Sequence, residues 1–66
     1  MDQNTIRQRL DKQGWKLREL PIRSGDTVAR WKLIAVKYDK SYEVTEPTLQ
    51  GALESMGKML GVIARG

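Results

Sequence analysis

A chain of 66 residues with 39% apolar side chains can bury one small core, so residues 1–66 are predicted to form a single domain. It contains neither Cys nor His, which excludes disulfides and the commonest zinc sites, and we expect no cofactor. No nucleophile with a neighbouring base and no compact pair of carboxylates is recognisable, so an enzyme is not predicted. The formal charge of +4 favours phosphate-bearing or acidic partners, or else serves solubility alone.

The positive charge is concentrated in the first two thirds of the chain. From Arg7 to Lys40 there are ten basic residues against four acidic ones, an excess of six. From Ser41 onward, acidic residues exceed basic ones by one. The positive field is therefore expected on the first helix and the sheet rather than on the last helix.

A short helix is predicted over residues 5–13. Asn4 or Thr5 is a candidate N-cap, and Ile6 and Leu10 share one face because they are four residues apart. Gly14 then ends the helix as its C′ residue.

The first strand follows at once, because residues 15–18 alternate apolar and basic, with Trp15 and Leu17 facing inward. Pro21 either ends this strand or confines it to a sheet edge. Residues 21–26, which contain Ser24-Gly25-Asp26, are expected to form a flexible loop that carries Arg23.

Residues 27–38 form the longest strand candidate and carry two interleaved alternations. Ala29, Trp31, Leu33 and Ala35 are predicted to face the helices. The opposite face then exposes a basic end and an apolar end, composed of Val28, Arg30, Lys32, Ile34, Val36 and Tyr38.

A compact turn at residues 39–41 leads into a short third strand over residues 42–45, antiparallel to the second. Thr48 is the predicted N-cap of the final helix, whose apolar residues follow the helical period. Gly57 and Gly61 are interpreted as packing accommodations or as the helix end, and residues 62–66 are expected to fray.

Together these elements predict an α+β fold of order α-β-β-β-α, in which two helices pack on one face of a three-stranded antiparallel sheet. The predicted core consists of Ile6, Leu10, Trp15, Leu17, Trp31, Leu33, Ala35, Leu49, Ala52, Leu53, Met56 and Leu60.

The segment Gln13-Gly14-Trp15-Lys16-Leu17, preceded by Ile6 and Leu10, resembles the start of HicA-type toxins. These are small ribonucleases with a double-stranded-RNA-binding-like fold, and the resemblance implies that scaffold with a basic RNA-facing surface. The catalytic His of that family should follow a Gly-Ser-like turn before the second strand. Here Ser24-Gly25 is followed by Asp26 and the chain has no His, so ribonuclease activity is not implied. Residues 48–53 also resemble the helix start of HicB-type antitoxins.

The leading functional prediction is a small non-catalytic module that binds RNA or DNA through a basic surface on the sheet and first helix. The alternative is a protein-interaction or self-assembling domain that uses an interaction face of Ile34, Val36 and Tyr38. A polar start and the lack of a long apolar run predict a cytoplasmic protein without a membrane partner. The predicted nucleic-acid-binding residues are Arg7, Lys16, Arg18, Arg30, Lys32 and Lys37.

Overall fold

The computed structural model describes residues 2–64 and has the element order α-β-β-β-α. The elements are α1 (Gln3–Lys12), β1 (Lys16–Ser24), β2 (Thr27–Lys37), β3 (Lys40–Glu46) and α2 (Leu49–Met59). The strands form one antiparallel sheet in the order β1-β2-β3, so β2 is central and the other two strands are its edges. This arrangement confirms the predicted α+β fold class.

Both helices contribute to one hydrophobic core on a single face of the sheet. Helix α2 packs on β2 and β3, and α1 packs against α2. Every residue of the predicted core is either buried or packed against the buried cluster. The sequence pattern did not predict three further members of this core, namely Val44, Val62 and Ile63.

The N-caps satisfy backbone donors at the start of each helix. Thr48 caps α2 as predicted, and its Oγ1 accepts a hydrogen bond from the Gly51 backbone N–H at 3.0 Å. The cap of α1 is Asp2 rather than Asn4 or Thr5, because its Oδ1 accepts from the Thr5 N–H at 2.8 Å. This hydrogen bond lowers the pKa of the Asp2 carboxyl from its ordinary value of 3.8.

Helix α1 ends in a Schellman motif, which sets the position of Trp15. Gly14 has φ of +90°, its N–H donates to the Asp11 carbonyl at 2.9 Å, and the Trp15 N–H donates to the Leu10 carbonyl at 3.0 Å. Trp15 is thereby turned back into the core, where it is buried. The predicted role of Gly14 as the helix stop is confirmed.

Helix α2 ends in the same way, with Gly61 at φ of +77° and the Val62 N–H donating to the Gly57 carbonyl at 2.9 Å. The chain then folds back over Gly57, where a Cβ would lie 3.0 Å from Ile63 Cγ1. Arg9 on α1 also donates from Nη1 to the Val62 carbonyl at 3.0 Å. The expectation of fraying is therefore wrong for Val62 and Ile63, while its last two residues, 65 and 66, lie outside the described part of the chain.

Strand β1 and strand β2 form a longer hairpin than the sequence predicted. Residues 21–26 were expected to form a loop, but β1 continues through Pro21 to Ser24, and only Gly25 and Asp26 connect the strands. Gly25 has φ of +63°, a conformation that suits a short turn. Pro21 is tolerated because β1 is an edge strand, which leaves part of its backbone without a neighbouring strand.

A register shift interrupts this hairpin near its turn. Ile22 pairs with Arg30 but Arg23 pairs with Val28, so Ala29 is an additional residue on β2. The predicted uninterrupted alternation of β2 is therefore wrong at this end. Val28 lies opposite Arg23, and Ala29 is exposed instead of facing the helices.

Candidate nucleic-acid interface on the open sheet face

The sheet face opposite the helices has no covering element among residues 2–64. Its composition follows from the strand register, because residues that pair across antiparallel strands point to the same side of the sheet. We call this surface the open face; it comprises Lys16, Arg18, Leu20 and Ile22 of β1, Arg30, Lys32, Ile34 and Val36 of β2, and Ser41, Glu43 and Thr45 of β3.

Four of the six predicted nucleic-acid-binding residues lie together on the open face, namely Lys16, Arg18, Arg30 and Lys32. Glu43 is the one carboxylate there, and its Oε1 lies 3.5 Å from Lys32 Nζ. Within residues 2–64 the other three cations form no ion pair. The open face therefore carries three net positive charges, and these are available to an anionic ligand.

Each basic residue of β1 or β2 on this face lies opposite an aliphatic one. The basic residue is on β1 where Lys16 pairs with Val36 and Arg18 pairs with Ile34. Nearer the hairpin turn it is on β2, since Leu20 pairs with Lys32. The aliphatic side chains consequently run diagonally from β2 to β1, since diagonal neighbours on adjacent strands are about 7–8 Å apart. This aliphatic band, flanked by cations on both sides, consists of Val36, Ile34, Leu20 and Ile22.

Arg7, the fifth predicted residue, lies on α1 and does not contribute to the open face. Its Nε and Nη2 both contact Oε1 of Glu19, at 2.8 Å and 2.6 Å. Glu19 pairs with Leu33, which places it on the helix-covered side of β1. The charge of Arg7 is thus compensated by a carboxylate on the opposite side of the sheet from Lys16 and Arg18.

Lys37, the sixth predicted residue, lies beside the buried ring of Trp15. Its Nζ is 5.6 Å from the centroid of the Trp15 ring, within the range of a cation–π interaction. Trp15 also contacts Tyr42 edge-on, with ring centroids 5.6 Å apart. Tyr42 pairs with Ala35 on the helix-covered side, so in the described chain no aromatic ring belongs to the open face.

Of the predicted interaction face, Ile34 and Val36 belong to the open face, but Tyr38 does not. Tyr38 lies in the two-residue turn between β2 and β3, has φ of +55°, and is 93% exposed. A positive φ is unfavourable for a residue with a Cβ, and Gly or Asn is usual at such a position. The aromatic side chain is therefore held away from the sheet at one end of the molecule.

Two surface features were not predicted. Leu20 and Ile22 extend the open face toward the hairpin turn. They could have been predicted from the strand alternation of β1, which continues past Pro21. A shallow groove of about 500 Å³ lies between α1 and β1, with Trp15 and Leu17 among its lining residues and both signs of charge at its rim. This groove depends on the position of α1 relative to β1, and no local sequence pattern predicts that position.

Within residues 2–64, no three carboxylate side chains are grouped so that they could hold a metal ion. No helix in that range has the length and apolar character needed to span a bilayer.

Comparisons with protein-family models, with curated proteins and with solved structures return no match.

Proposed function

We propose that this protein is a non-catalytic binding module whose open face contacts the phosphates of nucleic acid. The observation that supports this proposal is the grouping of Lys16, Arg18, Arg30 and Lys32 on one uncovered face with a single carboxylate. Nucleic acids carry a dense row of phosphates, and each Lys or Arg that reaches a phosphate releases condensed counterions. Arg7 and Lys37 lie outside this interface, so the proposed site is smaller than the one predicted from sequence.

Contacts of two kinds are available on this face. The cations supply charge-assisted hydrogen bonds to phosphate oxygens, which position the ligand without reading its sequence. The aliphatic band supplies apolar contact with sugars and base edges. Stacking of bases on aromatic rings, the usual mode of single-strand binding on a sheet, would need rings on this face, whereas Trp15, Trp31 and Tyr42 belong to the helix-covered side.

Self-assembly through the open face is disfavoured by charge. If two copies met face to face, their eight cations would be brought together with only two carboxylates, and like charges across an interface oppose association. The aliphatic band nevertheless favours one alternative function, binding of another protein whose surface is both acidic and apolar. The identity of the binding partner and a location in the cytoplasm stay predictions.

The test is a titration of labelled RNA and DNA with the protein over a range of salt concentrations. If all four cations contact phosphates of duplex DNA, log K should fall against log salt with a slope of about −3.6. The double variant Lys16→Gln/Arg18→Gln should reduce that slope by about 1.8 in magnitude. The matched control is Lys12→Gln/Lys40→Gln, which removes the same charge from exposed positions outside the open face.

Two results would contradict the proposal. One is the absence of any binding to RNA or DNA at low salt. The other is an equal loss of binding in the open-face variant and in the control variant, since that would attribute affinity to net charge alone. Capture of an acidic protein by the unmodified chain but not by the open-face variant, without nucleic-acid binding, would favour the alternative.

A further inference from the structure

The sheet narrows from three strands to two toward the β1–β2 turn. Strand β3 pairs with β2 only between Trp31 and Lys37, whereas β1 and β2 remain paired to Ser24 and Thr27. Beyond the last β3 pair, Trp31 with Glu46, the hairpin is a two-stranded ribbon, which we call the arm and define as residues 22–30. All nine of these residues are exposed, and none belongs to the hydrophobic core.

The arm exposes aliphatic side chains that the core does not use. Ile22 is 38% exposed and lies on the open-face side opposite Arg30, and Leu20, which borders the arm in the three-stranded part of the sheet, is 37% exposed. Val28 is exposed near the turn. An isolated two-stranded ribbon is only marginally stable in water, and exposed aliphatic residues in a row are typical of a surface that contacts a partner.

The arm is also basic. It contains Arg23 and Arg30, against which Asp26 is the single acidic residue. Arg23 pairs with Val28 and lies on the opposite side of the ribbon from Arg30, so two arms that met through their open-face sides would bring their two Arg30 guanidinium groups together. Charge therefore favours an anionic occupant over a second copy. The extra residue at Ala29 increases the local right-handed twist of the ribbon, as β-bulges do.

We propose that the arm enters the major groove of duplex DNA with its open-face side toward the base edges. This inference rests on the proposed function and specifies the class of nucleic acid. The major groove of B-form DNA, about 12 Å wide, admits a two-stranded β-ribbon, whereas that of an RNA helix is too deep and narrow for side chains to read. The three-stranded part of the sheet is wider, so only the arm fits.

In this arrangement each kind of side chain has a matching DNA group. Arg30, which lies opposite Ile22 on the open-face side of the arm, donates two hydrogen bonds to O6 and N7 of a guanine, the commonest specific contact in the major groove. Ile22 makes apolar contact with a thymine methyl group. Lys16 and Arg18, on the wider part of the same face, contact phosphates beside the groove.

The experiment compares affinities for duplex DNA, duplex RNA and single strands of one sequence, measured by fluorescence anisotropy at low salt. The sequence is first chosen by enrichment from a random duplex DNA library with the full chain. We expect duplex DNA to bind about tenfold more tightly than the other ligands. Replacing its guanines by 7-deazaguanine, which lacks the N7 acceptor, should weaken binding by a further factor of about ten.

Arg30→Gln provides the decisive comparison, because this variant should bind the normal and the 7-deazaguanine duplexes equally. The charge-matched control Lys12→Gln should retain the difference between the two duplexes. Both substitutions change exposed residues, and thermal melts would establish that both variants are folded. Ile22→Ser tests the apolar contact and should reduce affinity for duplex DNA without changing the salt slope.

The outcomes separate this inference from the proposed function. Equal or tighter binding of duplex RNA or of single strands would overturn the arm's place in the major groove while leaving a phosphate-binding open face intact. Insensitivity of the unmodified protein to 7-deazaguanine would do the same. Failure of every nucleic acid to bind at low salt would refute the proposed function itself.

Discussion

Replacing Tyr38 by Gly is expected to stabilise the protein, although it removes an aromatic side chain. Tyr38 has φ of +55° and is 93% exposed, so its ring contributes almost no burial. The left-handed conformation costs an L-residue about 1–2 kcal/mol, whereas Gly adds about 0.5–1 kcal/mol of unfolded-state entropy. The difference predicts a net gain of about 0.5–1 kcal/mol, which corresponds to a rise in Tm of roughly 2–8 °C for a domain of this size.

Thermal unfolding followed by circular dichroism measures this change, and Asp39→Gly is the matched control. Asp39 is the other residue of the same turn and is also exposed, but it has no positive φ. Replacing Asp39 by Gly adds entropy to the unfolded state without relieving backbone strain in the folded state, so Tm should fall. If Tyr38→Gly lowered Tm as much as Asp39→Gly does, the argument from backbone strain would be wrong.

Further predictions concern the helix ends and the core, each measured by the free energy of unfolding in urea. Gly57→Ala should destabilise the protein by about 1 kcal/mol, because the new Cβ meets the Ile63 side chain. The backbone of Ile63 is hydrogen-bonded to Gly57 and cannot easily move away. A more stable variant would contradict this prediction. Thr48→Ala should cost about 1 kcal/mol through loss of the α2 cap, whereas Thr48→Ser should be nearly neutral. Leu53→Ala should cost about 2–5 kcal/mol, since Leu53 is fully buried, and an unchanged melt would refute its place in the core. The cap at Asp2 should be effective above pH 3.8 and be lost as pH falls through the lower pKa of the folded state; Asp2→Asn should remove this pH dependence.

The sequence predicted the element order because its local signals are consistent with one another. The glycine after α1, the alternation from Trp15 and the capped period of α2 each point to one structure, and all twelve predicted core residues were found in or against the core. The errors occurred where tertiary context overrides a local rule. Pro21 stays within a strand because β1 is at the sheet edge, and Val62 is buried because the chain folds back over Gly57.

The candidate site was predicted only in part, because tertiary contacts decide which of its cations are compensated. Alternation alone placed Arg30 and Lys32 on one face, and the strand register added Lys16 and Arg18 to it. Which cations are already compensated cannot be read from alternation. Arg7 contacts Glu19 only because the fold brings α1 beside β1, although the two residues are twelve positions apart.

The contact between Arg9 and the Val62 carbonyl joins the first helix to the last described turn of the chain, 53 positions away. Since Val62 is also part of the core, the first helix lacks part of its packing until this residue has been synthesised. A helix of ten residues is marginal by itself. A chain that stops before Val62 should therefore fold incompletely and expose Ile6 and Leu10 to the cell's proteases.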